Sequence, residues 1–143
     1  MKIIIMTITG VVGSVCSFLF GGWSAAMTTL AICMAVDYIT GFAVAAVFKK
    51  SPKSESGALE SRAGFKGLCR KGTIILIVLI AHRLDLALGT HFIKDGVITA
   101  YILNDSVSII ENVGLMGLPM PQVLKKAIDM LKEETDENSK GYM

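Results

Sequence analysis

Charge is missing from the first quarter of the sequence: the 34 residues from Ile3 to Val36 include no Asp, Glu, Lys or Arg. A bilayer core of roughly 30 Å is spanned by about 20 helical residues, so this stretch is too long for one span. A cleaved signal peptide is the rival reading of the N-terminus. Lys2 gives it only a weak basic start, and the apolar character continues past residue 40, where polar mature sequence would follow. Charge is also scarce overall, at 18% of the 143 residues, against about 25% in soluble domains. Histidine is nearly absent, with only His82 and His91. Cys16, Cys33 and Cys69 form no Cys-x-x-Cys pair, which argues against a disulfide framework or a structural zinc site. There is no Gly-x-Ser-x-Gly, no P-loop and no His-Glu-x-x-His. With so few histidines, these gaps exclude the common hydrolase and nucleotide-binding chemistries. The expectation is a non-enzymatic protein with no cofactor and no bound metal.

What the sequence has is apolar length. Just over half of the residues are hydrophobic and the mean hydropathy is +0.60. The expected fold class is an all-α integral membrane protein, a bundle of about four transmembrane helices with a short amphipathic C-terminal helix. Gly21-Gly22-Trp23 breaks the first block, because paired glycines permit a tight turn and Trp favours the membrane–water interface. Helix 1 is expected over about residues 3–20 and helix 2 over about 24–48, making residues 1–48 a hairpin. Residues 49–71 form a basic loop with seven Lys or Arg and two Glu. Beyond about Leu59 it could become an interfacial helix with Phe65 and Leu68 dipping into lipid. Helix 3 then runs over about 72–88, "GTHFIKDG" is a polar turn, and helix 4 covers about 97–116 within the unit 72–118. The segment 119–143 opens with Pro119 and Pro121, which stop helix 4. A short helix follows over about 122–134, with Val123, Leu124, Ala127, Ile128 and Leu131 on one face, and then a disordered polar tail.

Orientation follows from the excess of Lys and Arg in cytoplasmic loops. Lys49, Lys50, Lys53, Arg62, Lys66, Arg70 and Lys71 put the 49–71 loop inside, against anionic lipid headgroups rather than nucleic acid. Two spans on either side then leave both termini in the cytoplasm of a bacterial cell. If the Gly21-Gly22 turn only dents the first block, three spans result instead, with the N-terminus outside.

Polar residues inside the spans need a reason, since a bilayer-centred charge costs several kcal/mol. At ~100° per residue, Asn104, Asp105, Ser108, Glu111 and Asn112 fall in one sector of helix 4. They form either a hydrogen-bonded seam between helices or a face that lines water or joins protomers. Asp37 and Arg83 each lie 12 residues from a basic loop end, about 18 Å along a helix, so they could pair. Alternatively Arg83 snorkels to the outer headgroups. Asp85 joins these as a third intramembrane acid, and Thr40 and Gly41 share the Asp37 region. Gly41-x-x-x-Ala45 has the small-xxx-small spacing that lets helices approach.

Four segments carry a resemblance: "DYITG" at 37–41, "SRAGFKGLCRK" at 61–71, "SIIEN" at 108–112 and "GLPMPQVL" at 117–124. With their order and spacing, the chain resembles the phage holin family of the toxin-secretion and phage-lysis type. One departure is Asp105, where that family's pattern leads one to expect glutamate after the asparagine. The resemblance implies a small cytoplasmic-membrane protein that accumulates and forms homo-oligomeric lesions. Through these a separate cell-wall hydrolase (an endolysin), which need not touch it, or a toxin leaves the cell. The rival function is a small proton- or cation-coupled transporter, which also uses intramembrane carboxylates. An internal repeat would favour it, and none is visible between residues 1–48 and 72–118.

Overall fold

The computed structural model describes residues 1–53, 57 and 60–141, and among them every regular element is helical. Helix α1 covers Lys2–Phe20, α2 Ala25–Ala43, α3 Ser61–Leu88, α4 Ile93–Leu115 and α5 Gln122–Gly141. Helix α2 widens at its end into a π-helical turn, Val44–Phe48. Two stretches, Lys2–Phe20 and Ala25–Phe48, are long and apolar enough to cross a membrane.

The turn between α1 and α2 forms where the glycine pair stands. Gly21 and Gly22 have φ of 73° and 94°, the left-handed region that a side chain disfavours. Ser24 then caps α2 by accepting a hydrogen bond from the Met27 amide, satisfying one of the free donors of the first turn.

Helices α2, α3 and α4 pack through lines of residues spaced alternately three and four apart. In α2 the line is Met27, Leu30, Met34, Asp37, Gly41 and Val44; in α3 it is Lys71, Ile74, Val78, Ala81 and Asp85; in α4 it is Ile98, Ile102, Asp105, Ile109 and Asn112. This spacing keeps one face of each helix turned inwards. Near the α1–α2 turn the lines meet as an apolar core of Phe20, Met27, Leu30, Met34, Val78 and Ile98. Further along, the same lines turn polar. Helix α1 stands apart, exposing Ile4, Ile8, Val11, Val15 and Phe18, and meets the other helices chiefly through α3.

Three boundaries differ from the sequence reading. Helix α3 begins at Ser61 rather than near Gly72, because no proline interrupts residues 61–88 and the first turns run straight into the apolar segment. Helix α4 starts at Ile93, inside the stretch read as a turn, since the Asp85 carboxylate accepts from the Ile93 and Lys94 amides at 2.9 and 2.8 Å and caps the first turn. The polar tail is helical to Gly141 rather than disordered. Its acids and lysines stand four apart, as in Lys132–Asp136 and Asp136–Lys140, a spacing that supports a helix. Residues 54–56, 58, 59, 142 and 143 lie outside the described residues.

Candidate functional site

The polar storey is built by one residue from each packing line. Lys71 of α3 donates to Asp37 Oδ2 of α2 at 2.8 Å and lies 3.6 Å from Asp105 Oδ1 of α4. The side chain of Lys71 is only 17% exposed, and those of Asp37 and Asp105 are 7% and 3%. One ammonium thus sits between two buried carboxylates, and Asp105 Oδ2 is buried with no hydrogen-bond partner. Beside them the Asn112 amide nitrogen approaches the Asp37 backbone oxygen at 3.3 Å, Asp37 Oδ1 at 3.3 Å and the Thr40 hydroxyl at 3.0 Å. Thr40 donates in turn to the Val36 carbonyl. Gly41 stands against the same amide: a Cβ there would be in ordinary van der Waals contact with Asn112, 3.6 Å away.

Asp37 is therefore paired with Lys71, and the expected Asp37–Arg83 pair does not form. Counting depth from Lys71 as a headgroup anchor puts Arg83 level with Asp37. With α3 starting ten residues before Lys71, it is Lys71 that reaches this depth, and Arg83 lies about 18 Å further along, exposed. Lys71 likewise leaves the set of lipid-facing basic residues. Lys49, Lys50, Lys53, Arg62, Lys66 and Arg70 are exposed.

Asp85 belongs to a different place. It lies about 21 Å along α3 from Lys71, buried, and accepts from the Thr90 hydroxyl at 2.6 Å as well as from the two α4 amides. Its role is to fix the α3–α4 turn. Close by, the Lys94 ammonium donates to the Phe20 carbonyl at the end of α1. The His82 ring covers Gly21 so closely that a Cβ there would come within 2.2 Å of it.

The sector of five polar residues on α4 is divided. Asp105 and Asn112 stand on the inward line, Ser108 is half-buried, and Asn104 and Glu111 are exposed. Asn104, Asp105, Ser108 and Glu111 nevertheless line one cleft of about 390 Å³ with Asp37, Gly41 and Lys71. Tyr38 and Phe42 of α2 and Gly64, Gly67 and Ile74 of α3 form its other sides. Sequence reasoning did not single out Tyr38, whose hydroxyl donates to the Gly64 carbonyl at 3.4 Å. Among the described residues no group of His, Cys, Asp or Glu could hold a metal ion.

Two apolar helices of spanning length, joined to helices that keep charged groups on their inward faces, fit a small helical membrane protein. Residues 14–133 match the model of the bacteriophage holin family, and the chain belongs to that family. It is 35% identical over 131 residues to a protein of Listeria monocytogenes, covering 91% of this chain and 88% of that one. It is 37% identical over 128 residues to a protein of Halalkalibacterium halodurans, covering 85% and 89%. A relative from Bacillus phage phi105 carries the name probable holin and is 27% identical over 105 residues, covering 73% and 72%. No solved structure matches. Family membership supports a membrane location and a role in phage lysis, and suggests a non-enzymatic protein.

Proposed function

We propose that this chain is a holin that accumulates in the cytoplasmic membrane and assembles into homo-oligomeric lesions, releasing a cell-wall hydrolase or a toxin. The observation that carries the reading is the division of the α4 polar sector. Asp105 and Asn112 are spent on α2 and α3, while Asn104 and Glu111 remain exposed on a helix whose neighbours include Val107 and other apolar side chains. In lipid, exposed polar groups seek partners, and a second copy offers the same groups. Packed edge to edge, copies would cover Asn104, Ser108 and Glu111, and at high density the same edge would face water.

In this reading α1, α2, α3 and α4 all span the membrane and both termini are cytoplasmic. At 1.5 Å per residue, the 28 residues of α3 and the 23 of α4 are long enough. Helix α5 lies as an amphipathic helix on the inner surface, with the basic residues of 49–70 near anionic headgroups. A cysteine placed at His91 should be labelled from outside the cell and one at Lys53 should not. The reverse pattern would overturn the orientation.

The functional test is induced expression with and without a co-expressed cell-wall hydrolase. Abrupt lysis that requires both proteins is the expected result. Growth arrest without hydrolase release would favour the transporter reading instead. Within this assay Glu111→Gln should insert normally yet change the onset of lysis at matched protein level. Ile109→Val, a small apolar change off the exposed edge, should not. An unaltered onset in Glu111→Gln would remove the carboxylate from the assembly surface.

A further inference from the structure

The cleft between α2, α3 and α4 has features that lesion formation does not require. It is a concavity of about 390 Å³, within the range of ligand pockets. Tyr38, Phe42, Ile74 and Val107 give it an apolar and aromatic wall, while its charged lining holds four carboxylates against three basic side chains. Among its lining residues is Asp105, 2% exposed, with Oδ2 lacking any hydrogen-bond donor. Lys71 does not serve that atom: its ammonium donates to Asp37 Oδ2 at 2.8 Å and faces Asp105 through Oδ1, at 3.6 Å. A buried carboxylate oxygen without a donor costs free energy that a matching group would recover.

We propose that this cleft is a binding site for a primary ammonium group carrying an apolar or aromatic tail. The ammonium donates to Asp105 Oδ2 after a small rotation of the carboxylate, and restores the missing positive charge. The tail lies along Phe42 and Val107, and Tyr38 forms part of the same wall. Three hydrogens on one nitrogen suit the site better than a metal ion, because among the described residues no group of His, Cys, Asp or Glu could hold one. Two sources offer this chemistry: a soluble amine, or the ethanolamine headgroup of a phospholipid. Because the ligand would bridge α2, α3 and α4, its binding would hold their present arrangement.

The test uses the full-length protein purified in detergent, with benzylammonium as the probe and benzyl alcohol as its uncharged match. The expected result is a saturable rise in Tm of about 3 °C or more with benzylammonium alone. Asp105→Asn should abolish the rise. Ser108→Leu leaves the Asp37–Lys71–Asp105 cluster intact and fills the cleft from α4, so it should abolish the rise too; it decides the matter if Asp105→Asn does not fold. In mixed micelles, a rise with phosphatidylethanolamine over phosphatidylcholine that Ser108→Leu removes would assign the lipid source. Phosphatidylcholine carries no N–H and serves as its control. A rise with benzylammonium alone would assign a soluble amine. Equal effects of benzyl alcohol and benzylammonium, a rise that survives Ser108→Leu, or no rise in either format would overturn the proposal.

Discussion

Replacing Lys71 by Met should be among the most damaging single changes in the chain. Methionine preserves much of the side chain's length and apolar contact while deleting the charge that serves two acids. Asp37 and Asp105 would then face each other, both buried, with the Asn112 amide as the remaining donor to Asp37 Oδ1. Removing one partner of a buried ion pair typically costs about 3–5 kcal/mol, and two stranded carboxylates put Lys71→Met at the upper end. That is a large share of a total stability of about 5–15 kcal/mol. Asp37→Asn should be milder, about 1.5–3 kcal/mol, because Lys71 keeps Asp105 at 3.6 Å. Arg83→Gln, on an exposed side chain, should stay within about 0.5 kcal/mol of the parent. The assay is thermal unfolding in detergent together with the amount of protein in the membrane fraction. The order of loss should be Lys71, then Asp37, then Arg83. Adding Asp37→Asn and Asp105→Asn to Lys71→Met should recover most of the loss, since the charges needing compensation are gone. A Lys71→Met protein as stable as Arg83→Gln would refute the reasoning, as would strictly additive losses in the combined variants.

Asn112→Leu leaves the Asp37 carboxylate and the Thr40 hydroxyl without their α4 donor, so it should lower stability by about 1–3 kcal/mol in the same unfolding measurement. Asp85→Ala removes the acceptor for the Ile93 and Lys94 amides; it should cost about 1–2 kcal/mol and speed amide exchange at residues 93–96 while leaving residues 105–112 protected. Gly21→Ala meets both a left-handed backbone and the His82 ring, and should lower Tm. Adding His82→Ala should recover the steric part of that loss and leave the backbone part, a split read from the two melting curves.

Helix positions were legible in the sequence wherever a strong signal stood at the end: the Gly21-Gly22 pair, Pro119 and the apolar runs themselves. The start of α3 was not, because a dense group of basic residues suggests a loop at a membrane surface. In fact the 3-4-3-4 spacing from Lys71 through Ile74, Val78 and Ala81 to Asp85 already marks them as one face. The same spacing from Ile98 to Asn112 turns Asp105 and Asn112 inwards. A polar sector judged by itself looks like a unit, yet its edge is set by where the neighbouring apolar residues point. The pairing of Asp37 followed from that error of register, since depth counted from the wrong anchor selects the wrong cation. The cap made by Asp85 could not be read locally, because its acceptors serve amides eight and nine residues away.

The loose attachment of α1 has a mechanical consequence. Its 19 residues measure about 28 Å, nearly the thickness of a bilayer's hydrocarbon layer, and it is apolar around its circumference. It is joined to the other helices mainly at its far end, where Lys94 holds the Phe20 carbonyl and His82 rests on Gly21. A rod free at one end and pivoted at the other answers to lipid thickness by tilting, whereas α2, α3 and α4 are locked together by their charges and interleaved faces. In thinner lipids, spin labels at Ile4 and Ile75 should therefore move relative to one another while labels at Ile39 and Val107 keep their separation. The molecule would sense its membrane with one helix and preserve its interior with the other three.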